Sequence, residues 1–387
     1  MQICPEIQLI LMSACLMPSP SILNHAKHIL KLSLEWEYIV SVAKKWGVSA
    51  YVFQFCTIND CRSYLPQKYW KIFQDLYQRQ ALQTIYLKRQ LHDIKNLFTQ
   101  NNIDFCFIKG AELIETIYAN TPVRSMSDID MLCHPEDIDK IITTLVQAGY
   151  FQKTMHQSKE LQDIATYRKH FPAFFHANRH TIEIHFNLFP GVFHQEPLTR
   201  KLWDNAHVIK ESNQYRLHPD HHLLYLCHHL SYHIQSPREG MVLYWFFDIY
   251  QCLTDNKNPI ACPLLECMDI KNKKQIEHIL SLVYNQWCVS DTLINNKDTG
   301  IVHIINKTTQ EGRAGKAKRV LSYYWQLWFD KNPQWSYCER LSYWFHLIFP
   351  NSQYLMDRYH IHNKWLLPVY YIAHPFGIIF RAIRRLT

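Results

Sequence analysis

Residues Asp128-Ile129-Asp130-Met131-Leu132 alternate acidic and apolar side chains with a period of two. In an extended strand this puts both carboxylates on one face and Ile129 and Met131 on the other, against a core. Carboxylates held that close repel one another unless a cation or a proton lies between them, so the segment also predicts something that neutralises its acidic face. The flanking sequence sets the order of elements around it. Upstream, Leu82, Ile85, Leu91, Ile94 and Phe98 follow a helical repeat within Ala81 to Phe98. Asn101-Asn102 ends that helix. Ile103 to Ile108 then reads as a short buried strand, Lys109-Gly110 as a tight turn and Ala111 to Tyr118 as a second helix.

Downstream, Pro135-Glu136-Asp137 suits a first helical turn, with proline near the first position and acids at the positive end of the helix dipole. Ile138, Ile141, Ile142 and Leu145 form its apolar stripe and Gly149 its stop. Phe171 to Leu188 reads as two strands joined at Asn178-Arg179-His180. In the second of them Ile182, Ile184, Phe186 and Leu188 share one face, and Glu183, His185 and Asn187 the other. Helical periodicity prevails on both sides. The expected fold is therefore α+β: an N-terminal helical region (1–77), a central α/β core (78–190) and a C-terminal helical region rich in tryptophan and tyrosine (191–387).

Composition narrows the chemistry. A chain of 387 residues, 48% of them hydrophobic, can bury a substantial core in two or three folding units. It holds only 9 glycines and neither a G-x-G-x-x-G nor a G-x-x-x-x-G-K-[ST] run, which argues against a dinucleotide-binding fold and excludes a Walker-type phosphate cradle. Lysine and arginine number 41 against 33 acids, a surplus of +8 too mild and scattered to act as a nucleic-acid footprint. No DNA partner is expected and RNA is not favoured, whereas a small anionic substrate fits. The 12 cysteines form no C-x-x-C pair and read as reduced thiols of a cytoplasmic protein. Ile7 to Met17 follows Glu6 with no basic stretch before it, so it reads as a core helix, not a signal sequence. Trp365 to Phe380 is apolar and is followed by Arg381, Arg384 and Arg385. Pro368, His374 and Pro375 interrupt it, and it is short for a bilayer span. It reads as a packed helix or one docked on a membrane surface.

With Glu183 on a neighbouring strand, Asp128 and Asp130 could complete a three-carboxylate site for Mg²⁺, which takes hard oxygen ligands and substrate phosphates. Two such ions would clamp the attacking and leaving oxygens of a displacement at phosphorus. Lys109-Gly110 would let the backbone approach a phosphate, and Arg124 and Ser127, just before Asp128, could meet the same polyphosphate. Each signal has an ordinary structural counterpart. Asp128 and Asp130 could line a solvated strand edge or pair with Arg124, Glu183 could be an exposed cross-strand partner of His185, and Lys109 could cap a loop. His185 would orient a neighbouring ligand. His229 and His233 stand at zinc-like i, i+4 spacing within a histidine-rich run (His218, His221, His222, His228), but no H-E-x-x-H glutamate accompanies them and packing roles are expected. Asp248 lies inside an apolar helix, where an unpaired carboxylate would be costly: either it caps or pairs with a histidine such as His229, or it faces the acceptor pocket.

The stretches Phe107-Ile-Lys-Gly-Ala-Glu-Leu113, Val123-Arg-Ser-Met-Ser-Asp-Ile-Asp-Met-Leu-Cys133, Pro135-Glu-Asp-Ile138 and Ala148-Gly-Tyr150 resemble, in order and spacing, the uncharacterised nucleotidyltransferases of the polymerase-β-like superfamily. Ile182-Glu-Ile-His-Phe186 resembles that family's third-carboxylate strand, and Leu202-Trp-Asp204, Leu217-His-Pro-Asp220 and Trp245-Phe-Phe-Asp-Ile249 its helical half. Similarity runs over roughly residues 5 to 255. It implies a small mixed sheet with helices, transfer of a nucleoside monophosphate from a nucleoside triphosphate such as ATP to an acceptor, pyrophosphate release, and a pair of Mg²⁺ (or Mn²⁺) ions on Asp128, Asp130 and Glu183. The wider superfamily has Gly-Ser where this chain has Lys109-Gly110. The alternatives are a nucleotide-binding scaffold that keeps the fold without turnover, or a toxin-like transferase acting on transfer RNA.

Overall fold

The computed structural model describes residues 3–152, 170–188, 196–235, 243–255, 268, 270–288, 300–310, 352–359 and 363–384. The chain divides into two compact units, Met1–Ser231 with Met241–Ile305, and Tyr232–Gly240 with Asn306–Thr387.

The first unit opens with α1 (Pro5–Met12), α2 (Pro20–Leu30), α3 (Trp36–Lys45) and α4 (Ser49–Ile58). Every residue of α1 from Ile7 to Met12 is buried, as a core helix requires. The sequence at the start of α2 explains its entry: Ser19 accepts a hydrogen bond from the Ile22 N–H, and Pro20, whose missing N–H would be unsatisfied there anyway, occupies the first turn. Next comes α5 (Gln67–Gln100), 34 residues that run without a break through residue 77. Its buried positions Leu87, Leu91, Ile94 and Phe98 repeat at three- and four-residue intervals and lie in the main core cluster.

A single mixed sheet of six strands follows, in the order β3-β4-β2-β1-β6-β5. The strands are β1 (Phe105–Phe107), β2 (Asp128–Cys133), β3 (Phe174–His176), β4 (Arg179–His185), β5 (His207–Val208) and β6 (Gln214–Arg216). Between them lie α6 (Gly110–Glu115) and α7 (Ile138–Gln147), the latter entered through a 3₁₀ turn at Pro135–Asp137. The fold is thus α+β, with helices flanking the sheet. Phe105, Phe107, Ile129, Met131, Cys133, Ile182 and Ile184 join residues of α5 and α7 in the core cluster. Burying that many large apolar side chains, at roughly 1.5–3 kcal/mol each, fixes the strand register, because a slip of one residue would turn the acidic face into the core.

One expectation needs correction. The chain beyond residue 190 is not helix alone, since β5 and β6 form a hairpin that extends the sheet, with β6 parallel to β1 (Phe105 opposite Gln214). A three-residue strand, Gln-Tyr-Arg, is too short to carry a readable period, and only pairing with β1 defines it. The C-terminal segment is a helix as expected, Leu367–Arg384 of the second unit, and Pro375 lies inside it. Proline removes one backbone hydrogen bond at about 3 kcal/mol, a penalty the remaining turns carry. The described cysteines are all free. No helix among the described residues is long and apolar enough to cross a membrane.

Candidate metal centre

Strands β2 and β4 run parallel in the register Asp128↔Thr181, Asp130↔Glu183 and Leu132↔His185. Because the side chains alternate, Asp128, Asp130, Glu183 and His185 lie on one face while Ile129, Met131, Ile182 and Ile184 enter the core. Two segments some fifty residues apart therefore converge. Asp130, Glu183 and His185 each offer a ligand atom, and these atoms lie within 4.8 Å of one another. Glu183 is partly open to solvent, Asp130 is nearly enclosed and His185 is fully buried. Asp128, half-buried at the start of β2, accepts a hydrogen bond from the Ser127 hydroxyl at 3.0 Å.

Asp130 carries most of the site's electrostatics. Its Oδ1 accepts from the Lys109 ammonium at 2.7 Å and from His185 Nε2 at 2.7 Å. Burial pushes its carboxyl up, but Lys109 and His185 outweigh that and hold it below the usual carboxylate range, so it is ionised at neutral pH. His185 is pushed down to about 3, by burial and by the Lys109 charge, and is therefore neutral. Since Nε2 donates to Asp130, the proton sits there, and Nδ1 is a buried nitrogen without a hydrogen-bond partner among the described residues. The same Nε2 stands 3.8 Å from a Glu183 oxygen. Burial and the neighbouring Asp130 charge both raise Asp128. A face of carboxylates fits a hard divalent cation: Asp130 and Glu183 offer oxygens within 4.8 Å of one another and could hold one, while His185, its Nε2 proton committed to Asp130, orients that carboxylate.

The turn before α6 is built differently from a phosphate loop. Lys109 adopts φ +52°, a conformation that L side chains rarely take and that costs about 1–3 kcal/mol. Two bonds hold it there: its side chain on Asp130, and its backbone N–H donating to His222 Nε2 at 2.9 Å. Glycine follows because a Cβ at 110 would meet Met126 Sδ at 2.7 Å and the Arg124 guanidinium at 3.2 Å. The close approach that Gly110 permits is thus made by the 124–126 loop. Arg124 is itself buried in a forked pair with Asp248: Nε donates to Oδ1 at 3.2 Å and to Oδ2 at 3.0 Å, and Nη2 donates to Oδ2 at 2.9 Å. Tyr118 donates to the same carboxylate at 3.0 Å, and the guanidinium lies 4.1 Å over the Tyr244 ring. Asp248 therefore pairs with Arg124, not with a histidine, and the Asp128–Asp130 strand is neutralised by Lys109, not by Arg124. His229 packs its ring against Trp245 at 5.6 Å. Among these groups sequence reasoning gave His222 and Tyr118 no role at the site; both act across more than a hundred residues, and no local pattern signals such partners.

His222 also gives the turn a pH dependence. Burial pushes it down to about 4, so between its unfolded value near 6.5 and about 4 the folded chain binds fewer protons than the unfolded one. Its contribution is complete above pH 6.5 and is lost as pH falls through 4. The stability difference between the native chain and His222→Gln, measured by urea unfolding, is expected to shrink steadily from pH 7 to pH 4. A constant difference over that window would exclude the assignment.

Beside Asp128 opens a cleft of about 540 Å³, lined by Tyr86, Arg89, Ser127, Asn178, Arg179 and Thr181 among others. Ser127 precedes Asp128 in the chain and Thr181 faces it across the strands, so the cleft adjoins the acidic face. Arg179 is paired with Asp93 at 3.1 Å on one wall.

Compared with known protein families, the chain matches over residues 33–285 the model of a family described as uncharacterised nucleotidyltransferase. No curated protein and no solved structure matches.

Proposed function

The chain belongs to the uncharacterised nucleotidyltransferase family, and on that premise we propose that it is an enzyme transferring a nucleoside monophosphate from a nucleoside triphosphate, ATP among the candidates, to an acceptor with release of pyrophosphate. The observation that carries this is the pairing of Asp130 with Glu183 across parallel strands, on the same face as Asp128. Asp128, Asp130 and Glu183 would hold Mg²⁺, or Mn²⁺ in its place, as one ion or two. When bound, the metal supplies charge neutralisation at the phosphate oxygens, which is most of what transfer at phosphorus requires.

The remaining work falls to the chain's own groups. His185, neutral and donating through Nε2, fixes the Asp130 carboxylate in place, while Glu183, the most open of the three, is the group able to take a proton from an acceptor hydroxyl. Lys109 is the ammonium nearest to a phosphate lodged on these carboxylates. Gly110, and Arg124 through the 124–126 loop, shape the turn from behind, whereas Ser127 reaches the cleft. The cleft with Arg89 and Arg179 offers an anionic substrate its approach to Asp128. Asp248, through Arg124, secures the loop that leads into β2.

The test is pyrophosphate release by the full chain with each triphosphate and a panel of hydroxyl acceptors. A chelator is expected to abolish the rate and added Mg²⁺ or Mn²⁺ to restore it. Turnover indifferent to chelation would overturn the metal-dependent reading. Two observations favour a second reading, a nucleotide-binding scaffold without turnover: Lys109 already neutralises Asp130, and Met126 and Arg124 cover Gly110. Metal-dependent triphosphate binding with no transfer to any acceptor would establish it.

A further inference from the structure

In the second unit the helix Leu367–Arg384 carries an exposed apolar stripe. It follows a 3₁₀ turn at Lys364–Leu366, in which Asn363 Oδ1 accepts from the Trp365 N–H at 3.1 Å. Val369, Ile372 and Phe376 stand at intervals of three and four residues, one stripe on the helix, Trp365 precedes them in the turn, and the four are 61–89% exposed. The opposite face packs inward: Leu367, Tyr370 and Tyr371 are half-buried, and His374 is 2% exposed with its Nδ1 2.9 Å from the Tyr359 hydroxyl. A folded chain does not ordinarily turn its largest apolar side chains outward along a continuous stripe and its histidine inward.

Charge indicates what covers the stripe. After Asp357 the sequence contains no acid, yet it carries Arg358, Lys364, Arg381, Arg384 and Arg385. The positive charge is therefore unopposed by any acid along the sequence on either side of this stripe. Lys364 and the arginines from 381 onward bracket the apolar positions along the sequence, with a tryptophan at the leading end, where an amphipathic ring favours the boundary between water and lipid. The helix is 18 residues, about 27 Å long. It does not qualify as a membrane span. We propose that the helix Leu367–Arg384, with the turn before it, lies flat on an anionic lipid surface, with Trp365, Val369, Ile372 and Phe376 in the boundary of the acyl region and the positive charge of the flanking sequence drawing it to anionic headgroups.

The proposal is tested by sedimenting the full-length chain with vesicles of pure phosphatidylcholine and with vesicles in which about a third of the lipid is phosphatidylserine. Binding to the anionic vesicles, weakened by high salt and at least tenfold weaker on neutral ones, is expected. The double variant Trp365→Ser, Phe376→Ser, whose altered side chains are exposed and whose thermal midpoint should match that of the native chain, is expected to lose roughly a hundredfold in vesicle affinity. Replacing Arg381, Arg384 and Arg385 by glutamine should abolish the lipid-charge preference. Failure to bind either vesicle, or unaltered binding by the double variant, would overturn the proposal. A concentration-dependent dimer in sedimentation velocity that the double variant dissolves would assign the stripe to a second copy of the chain instead, and equally overturn it.

Discussion

Replacing Asp130 by asparagine is expected to lower nucleotidyl transfer by about a thousandfold and to destabilise the chain by about 3–5 kcal/mol. The two losses have separate causes. Transfer falls because the carboxylate paired with Glu183 across the strands is no longer there to hold a divalent cation, a contribution of several kcal/mol at the phosphorus. Stability falls because the Lys109 ammonium, nearly enclosed and 2.7 Å from Asp130, loses the anion that keeps it charged in a dry site. The double variant Lys109→Met, Asp130→Asn separates them. It removes both members of the pair, so urea unfolding should show most of the stability regained while transfer stays as low as in the single variant. Recovery of activity along with stability would show that Asp130 serves the fold alone. Asp128→Asn is the companion measurement: half-buried and bonded only to Ser127 among its described partners, it should lose transfer with little change in unfolding.

The second large effect lies behind the site. Asp248→Ala leaves Arg124 buried with its forked partner gone, and also strands the Tyr118 hydroxyl; unfolding free energy is expected to fall by about 3–5 kcal/mol. The Tyr244 ring over the guanidinium offsets part of this, by about 1–2 kcal/mol at most. A loss below about 1 kcal/mol in urea unfolding would mean that the pair is open to water and behaves as a surface ion pair. Because Arg124 also packs against Gly110 and belongs to the loop entering β2, the surviving folded fraction should show weaker substrate binding. The isosteric control Arg124→Met with Asp248→Leu should recover stability, since two apolar groups need no partner.

How much of this could be read in the sequence depends on range. The period-two alternation of Asp128 to Leu132 and of Ile182 to Phe186 gave both strands and the acidic face correctly, because side-chain direction along a strand follows from the backbone alone. The second half of the α5 stripe (Leu91, Ile94, Phe98) and the proline-led entry to α7 were legible for the same local reason, whereas Leu82 and Ile85, read as part of that stripe, are exposed. The hairpin of β5 and β6 was not, because three residues carry no period and their strand character comes from lying beside β1. The partners were not legible either. Lys109 and Arg124 were both visible as cations near the two aspartates, and a strand pattern could not say which one would turn to Asp130 and which to Asp248.

From the sequence by itself came the chemical set: two aspartates on one strand face, a glutamate on another, a lysine-glycine turn before a helix and few glycines elsewhere. These follow from residue types and short-range periodicity, which need no knowledge of distant parts of the chain. Tertiary structure alone decided the pairing: Glu183 opposite Asp130, His222 beneath the Lys109 backbone, Asp248 on Arg124 across 124 residues, and a C-terminal helix with its apolar stripe outward. A buried charge takes whichever opposite charge the packed core places within about 3 Å of it, and that placement is a property of the whole fold.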